Sequence, residues 1–294
     1  ETAIKQKSIS ELLDPTDKFR IIYSMPGTAG DVVVSTAVID GIKKKYPEAS
    51  IYFATSPQYY DLLKGNPNIK AVIPYSDQIL NFRAIEGCLD NKGIFDISYT
   101  PFINTQRLVN FIHGGYGPHF AKTYANSCDV SLGHIFVPRE RLGIGFKDDY
   151  IVMHTQSNQE PKNYDRFNEL IELLNMPVIQ LGSSNDKEIR GVALDLRGKT
   201  NWRQTADVVA NAKLFVGVDA AIGHIAAAFG VPTITIFGGT FASISKPLGD
   251  KAIAIEPTDR YGCLKPCHLS KCVKPNKCIN TIAVSYTHLR AHET

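Results

Sequence analysis

Short, nearly unbroken apolar runs alternate along this chain with longer stretches in which apolar residues recur at helical spacing. Phe19–Ser24 (FRIIYS), Ile51–Ala54, Ala71–Pro74 and Asp96–Tyr99 read as buried strands of one set. Tyr150–His154 (YIVMH), Val178–Leu181, Ala193–Leu196, Leu214–Val218 and Thr233–Phe237 read as strands of a second set. Between them lie predicted helices. One runs from the turn Met25–Gly30 to about Tyr46, and others lie near Tyr59–Lys64, Gln106–Ile112, His119–Asn126, Arg166–Leu174, Trp202–Asn211 and Ala220–Phe229. Strands alternating with helices predict parallel sheets joined by crossover helices. Pro101–Gly143 is more irregular, and Gly143–Asp149 reads as a linker. The pattern therefore predicts an α/β chain of two Rossmann-like halves, residues 1–147 and 148–283.

A length of 294 residues suits two domains. With 44% hydrophobic and 21% charged residues, the composition is that of a soluble globular protein. A net charge of +3 is too small to argue for a nucleic-acid partner, although a mild basic bias suits phosphate-bearing substrates. Lys43-Lys44-Lys45 reads as the solvated last turn of a helix, where cations suit the dipole. No apolar run approaches the roughly 20 residues of a membrane span, and no signal peptide opens the sequence. A cytoplasmic location is expected. The chain opens on Glu1 instead of Met, which leaves the natural N-terminus open. At the other end, Val284–Thr294 (VSYTHLRAHET) shares no periodicity with what precedes it. It looks like one reading frame of a sequencing-library adapter, so His288 and His292 are left out of any site and a natural C-terminal helix is expected to be missing.

Leu214–Thr240 (LFVGVDAAIGHIAAAFGVPTITIFGGT) carries the most chemistry. It predicts a strand, an Asp at its carboxyl end, a small-residue helix and a second strand. Ligands of open α/β sheets bind beyond the carboxyl ends of the strands, where a helix N-terminus offers N–H groups to an anion. Asp219 can grip sugar hydroxyls there, or it can simply cap the helix. Gly27-Thr28-Ala29-Gly30-Asp31 forms a second strand-end turn. It is neither a dinucleotide fingerprint nor a P-loop. Asp31 can take a proton from an attacking hydroxyl, or serve as a helix cap or first-turn anion. His154–Asn158 with Lys162 reads as a phosphate-binding loop or a solvated one, and Gly182–Asn185 lies at the same rim. Cys263, Cys267, Cys272 and Cys278 fall in a Lys- and Pro-rich stretch. They suggest a structural metal knuckle, zinc or iron, with unligated thiols or disulfides as the alternatives. His268 is an unneeded fifth ligand, and Cys88 and Cys128 read as buried fillers.

Two stretches resemble a known family. Gly30–Tyr75 is similar to the opening of the ADP-heptose:lipopolysaccharide heptosyltransferases, glycosyltransferase family nine: Gly30-Asp31, an apolar helix, Tyr46-Pro47 and Asn66-Pro67 stand where members carry them. Asp195–Thr240 is similar to the family's donor-side signature, and a Cys-containing segment occurs in some members. The resemblance implies the GT-B fold, two Rossmann-like domains with an active site in the cleft between them. It implies an inverting glycosyltransferase that moves a sugar, heptose by default, from a nucleotide diphosphate donor without a catalytic metal.

By the same resemblance Asp31 is the general base, on an acceptor-side loop with Gly27 and Gly30. Asp219, Thr155, Lys162 and His224 hold the donor, and the N–H groups of Ala220, Ala221 and Ile222 meet its diphosphate. Lys162 also neutralises the leaving group. The acceptor is a glycan of the lipopolysaccharide core type, which implies peripheral contact with the inner membrane face. Where members have Asp-Ser/Thr-Gly and Lys-Arg-Trp, this chain has Asp219-Ala220-Ala221 and Lys162-Asn163-Tyr164. Two other classes stay open: a nucleotide-sugar epimerase or hydrolase of GT-B type, which works without an acceptor, and a non-catalytic nucleotide-sugar-binding protein.

Overall fold

A computed structural model describes residues 8–101, 118–146, 148–263, 267, 271–274 and 276–284. The helix expected at Gln106–Ile112, together with His268, His288 and His292, lies outside the described residues.

Two all-parallel sheets form the frame. The first has strand order β3-β2-β1-β6, from Arg20–Ser24 (β1), Ser50–Thr55 (β2), Ala71–Pro74 (β3) and Ile97–Tyr99 (β6). A small hairpin, Gly87–Cys88 (β4) with Asn91–Lys92 (β5), precedes β6. The second sheet has order β12-β11-β10-β7-β8-β9. Its strands are Ile151–His154 (β7), Val178–Leu181 (β8), Leu194–Asp195 (β9), Leu214–Val218 (β10), Thr233–Ile236 (β11) and Ala252–Ile255 (β12).

These orders place the reversals of chain direction across each sheet. In the first, the chain steps outward from β1 through β2 to β3 and returns on the other side as β6. In the second it steps from β7 to β9, then restarts at β10 beside β7. Loops leaving adjacent strands at such a switch point diverge to opposite faces and open a crevice. The turn after β1 and the loops after β7 and β10 are the segments singled out from the sequence.

Helix α1 (Ala29–Lys45) starts on a capping box between Thr28 and Asp31 and ends at Tyr46, before Pro47. It is buried on nearly all sides from Ala29 to Ile42, because it lies between the first sheet and two further helices. Those are α3 (Phe120–Ser127) and α6 (Ala221–Ala228), with α2 being the single turn Phe82–Ile85. Lys44 and Lys45 at its end pair with Asp40 and Asp129.

Helices α4 (Phe167–Ile171), α5 (Trp202–Ala210) and α7 (Ala242–Ser245) complete the set among the described residues. The helix expected to reach Leu174 stops at Ile171 because Leu173 and Leu174 bond back three residues, a tighter turn that ends the α-helix. The helix expected near Tyr59–Lys64 is a 3₁₀ helix, Pro57–Leu62. Strand β12 has no expectation behind it: four residues between Lys251 and Glu256 gain strand character only by pairing with β11.

One apolar cluster runs through both halves and joins Ile21, Val33, Val38 and Phe53 to Val152, Phe215, Ile225 and Ala226. Polar ties reinforce this junction. Asp207 on α5 accepts from Arg139 Nη2 and the Leu142 N–H, each at 2.9 Å. Cys128 is buried as expected, but Cys88 is exposed at the β4–β5 hairpin, where a two-residue arm has no core to enter.

Candidate active site

The first wall is the turn after β1. Asp31 is 6% exposed, and both of its carboxylate oxygens are engaged. Oδ2 accepts from the Thr28 N–H at 2.7 Å and from Thr28 Oγ1 at 2.9 Å. Oδ1 accepts from the Tyr124 hydroxyl at 2.8 Å. Asp31 therefore caps α1, as one sequence expectation held, while its other oxygen is aimed away from the cap. Gly27 makes this fold-back possible, since a Cβ there would lie 2.6 Å from Asp31 Oδ2.

The second wall is built from the loops after β7 and β10. Asp219 ends β10 and is 5% exposed. It does not cap α6: the N-cap is Ala220, and no side chain accepts there. Instead Asp219 Oδ2 lies 2.8 Å from Lys162 Nζ and accepts from Thr240 Oγ1 at 2.6 Å and Ser245 Oγ at 3.4 Å. Burial alone would raise the Asp219 pKa, but the Lys162 charge and the hydrogen bonds from Lys162 and Thr240 outweigh it and hold the carboxyl below its usual range.

Lys162 ends a 3₁₀ turn, Glu160–Lys162. Asn163 closes that loop by accepting from the Ser157 N–H at 2.7 Å and donating to the Ser157 carbonyl at 3.1 Å. Tyr164 is buried and donates to the Ile282 carbonyl. The Asn163-Tyr164 pair, which departs from the family pattern, is thus structural here. Thr155 is buried at the end of β7, beside the end of β10, with Gln180 Nε2 3.5 Å from its hydroxyl.

The two walls meet at the N-termini of α1 and α6. A Cβ on Gly30 would lie 3.5 Å from His224 Cδ2 and 3.8 Å from Ala221 Cα. His224 is 4% exposed, and its buried Nδ1 has no hydrogen-bond partner among the described residues. Burial pushes its pKa down to about 4, against the opposing charges of Asp219 and Asp31 and alongside those of His119 and Lys162. His224 is therefore the point at which both walls act on one group. Phe120 packs edge-on to His224 and to Tyr124, with ring centroids 5.5 and 5.6 Å apart.

Of the residues named from the sequence, Asp219 and Lys162 are in direct contact, and Gly30, Ala221 and His224 adjoin. Thr155 touches the site only through the strand end. The sequence did not single out Tyr124, Phe120, Thr240 or Ser245. Thr240 closes the Leu214–Thr240 segment and its hydroxyl was a readable signal; Tyr124, 93 residues from Asp31, had none.

The four cysteines Cys263, Cys267, Cys272 and Cys278 line one pocket with Pro161, Gly239 and Arg260. Burial raises the Cys278 thiol pKa, and the three neighbouring thiols add to the rise, whereas Arg260 opposes it. Four thiols lining one pocket are a donor set of the kind that zinc or iron takes. The thiols are not gathered, however: among the described residues no three His, Cys, Asp or Glu side chains form a group able to hold a metal ion. This segment also braces the Lys162 turn. Cys272 N donates to Glu160 Oε2 at 3.1 Å, Gly239 N to the Pro161 carbonyl at 3.1 Å, and Lys277 Nζ to the Asn163 carbonyl at 3.0 Å.

Comparison with known proteins places this geometry. The family model for glycosyltransferase family 9 (heptosyltransferase) matches residues 122–274, just over half of the chain. Lipopolysaccharide heptosyltransferase 3 of Escherichia coli (strain K12) is 26% identical over 279 residues, which cover 72% of this chain and 80% of that protein. Among solved structures, a family 9 glycosyltransferase from Veillonella parvula DSM 2008 aligns with a TM-score of 0.69 at 16% identity, over 94% of this chain and 96% of that one. E. coli ADP-heptose lps heptosyltransferase II aligns with a TM-score of 0.59 at 18% identity, over 81% and 90%. The iron-containing dodecameric glycosyltransferase TibC from enterotoxigenic E. coli H10407 aligns with a TM-score of 0.67 at 14% identity, over 94% and 78%. The two parallel sheets and these likenesses bear out the expected GT-B fold. The chain belongs to glycosyltransferase family 9, the heptosyltransferase family.

Proposed function

We propose that this chain transfers heptose from ADP-heptose to a lipopolysaccharide-core acceptor with inversion at the anomeric carbon. The observation that carries this reading is the meeting of Asp31 and the Lys162–Asp219 pair, each at the switch point of its own sheet, across the abutting N-termini of α1 and α6. The names of the curated relatives supply the heptose and the lipopolysaccharide. The structural neighbours include a heptosyltransferase with ADP and one with ADP-D-beta-D-heptose.

In this scheme the acceptor hydroxyl gives its proton to Asp31 as its oxygen forms a bond to the anomeric carbon. The bond from that carbon to the diphosphate oxygen breaks on the opposite face, and ADP leaves with the electron pair. Lys162 and the N–H groups at the start of α6 meet the charge that develops on the diphosphate, where electrostatic stabilisation counts most. These groups supply the positive charge, so the scheme assigns no catalytic metal. Asp219 spends Oδ2 on Lys162, Thr240 and Ser245 and offers Oδ1 to a sugar hydroxyl. Residues 1–147 form the acceptor side and residues 148–283 the donor side, working at the inner membrane face.

The four-thiol pocket takes a structural zinc or iron in this reading, and the metal would draw the thiols together beneath Lys162. Metal analysis of the purified chain tests it; a metal-free chain with full stability overturns it. The transferase reading is tested by thermal shift against ADP, GDP, UDP and CDP sugars. A ligand at a hundredfold excess over Kd stabilises by about 2.7 kcal/mol. No response to an ADP-linked sugar removes ADP-heptose as donor. Release of free sugar without any acceptor favours a hydrolase or epimerase instead.

A further inference from the structure

Helix α3 packs on α1, yet its N-cap reaches across to the second wall of the site. His119 caps the helix with its ring: Nδ1 accepts from the Ala121 N–H at 3.2 Å, and Nε2 lies 2.8 Å from the Lys246 carbonyl, 127 residues away. A nitrogen that accepts carries no hydrogen, and a carbonyl can only accept, so the hydrogen sits on Nε2 and the ring is neutral. Burial pushes the His119 pKa down and the Lys246 charge adds to this, against the hydrogen bond to the Lys246 carbonyl and the Asp219 charge. Phe120 packs at a tilt on the His119 ring and edge-on to His224, which fixes the ring between the two walls.

Lys246 directly follows α7, and the segment from Thr240 to Lys246 grips Asp219. Thr240 Oγ1 and Ser245 Oγ both donate to Asp219 Oδ2. At four residues α7 is too short to hold its own place, so what the segment is tied to sets its position. Within the second half, Gly239 N donates to the Pro161 carbonyl, Ala242 N to Glu256 Oε1 and Lys246 Nζ to the Ala252 carbonyl. His119 adds a tie from the helix that packs on α1. We infer that His119 is a positioning residue for the donor sugar: it sets the Thr240–Lys246 segment, and through Thr240 and Ser245 the Asp219 carboxylate, relative to the acceptor side. The inference rests on Asp219 holding that sugar. His119 acts only through the Lys246 carbonyl in this account, as a strut between the two walls.

The test measures binding of ADP-heptose and of ADP to wild type, His119→Asn and Asp219→Asn by calorimetry, beside nitrogen NMR of the histidine rings of the whole chain at pH 7. Asn is a good N-cap but too short to reach the Lys246 carbonyl, so His119→Asn removes the strut and spares the helix. We expect it to bind ADP-heptose about tenfold more weakly, the worth of one displaced hydrogen bond to a charged group, and to bind ADP as wild type does. The His119 signal, assigned by its absence from the variant, should show a neutral ring with its hydrogen on Nε2. That spectrum is read on wild type and stands whether or not the variant folds. Equal ADP-heptose affinity in His119→Asn and wild type overturns the positioning role, as does an equal weakening for both ligands or a His119 hydrogen on Nδ1. An Asp219→Asn that keeps wild-type affinity for ADP-heptose, or a wild type that binds none, removes instead the reading of Asp219 as the sugar's holder, and this inference with it.

Discussion

Lys162 Nζ and Asp219 Oδ2 lie 2.8 Å apart, and the two residues come from loops on neighbouring strands of the second sheet. Asp219 is almost wholly buried, so its partner sets whether the carboxylate can stay charged. Truncating one member of a buried pair strands the other and typically costs about 3–5 kcal/mol, whereas replacing both with apolar residues is often neutral. Lys162→Met should therefore lower the melting temperature sharply, and Lys162→Met with Asp219→Leu should recover much of it. Both variants should remain inactive. Calorimetry beside a transfer assay reads the two effects separately, and a stable Lys162→Met would show that the pair is solvated.

Gly27 and Gly30 look equivalent in the sequence but differ in the space around them. A Cβ at Gly27 would collide with Asp31 Oδ2 at 2.6 Å, while one at Gly30 would meet His224 and Ala221 at ordinary van der Waals distances of 3.5 and 3.8 Å. Gly27→Ala should displace Asp31 from its cap, lose about 1 kcal/mol of stability and lose most transfer activity. Gly30→Ala should fold normally and change stability by about 0.5 kcal/mol or less. Equal activities for the two variants would remove the fold-back of Asp31 from the explanation.

Acid should destabilise the chain before its carboxylates titrate. His224 is held neutral by burial, with a pKa of about 4 against an ordinary value of 6.5, and His154 behaves alike beside Asp186. Between pH 6.5 and 4 the unfolded chain binds more protons at such a residue than the folded one, so stability falls as pH falls through that window. The His224 contribution is on the order of 3 kcal/mol. The lowered pKa of Asp219 acts in the same direction, but only once the pH enters the ordinary carboxylate range. His224→Gln should flatten the slope of stability against pH from 6.5 to 4. An unchanged slope in denaturant titrations would mean that His224 is not the buried neutral group described.

The thiol pocket should report on the donor site although no cysteine reaches it. Cys272 N bonds to Glu160 and Gly239 N to Pro161, both next to Lys162, and Thr240 follows Gly239 directly. Cys267→Ser or Cys278→Ser should lower metal content and the melting temperature, and raise KM for the donor more than it lowers kcat. Elemental analysis and kinetics on the same preparations check this. Loss of metal with an unchanged KM would separate the pocket from the donor site.

Most of the strand framework was legible in the chain, because a buried parallel strand must be a short apolar run and its crossover helix must follow. Leu214–Val218, Val178–Leu181 and Ala71–Pro74 fall where their residues predict. The place of Asp31 in the first turn of α1 was equally local, since it depends only on residues within one turn. What was not legible involves partners distant in sequence. Strand β12 is too short to declare itself without β11, and the helix after Arg166 gave way to a tight turn that its composition does not forbid.

The amino-acid sequence by itself determined two parallel sheets, the strand ends that carry Asp31 and Asp219, and a four-cysteine segment, because each depends on spacing along the chain. Tertiary structure decided what those residues meet. It gave Asp219 the Lys162 ammonium as its partner instead of a helix end to cap, brought Tyr124 to Asp31 across 93 residues, and set His224 against Gly30. It also seated the thiols beneath the Lys162 turn without drawing them into a ligand set. The physical reason is that strand order, which no local pattern encodes, fixes where each sheet reverses. The loops that diverge at those reversals become neighbours only when the two sheets pack.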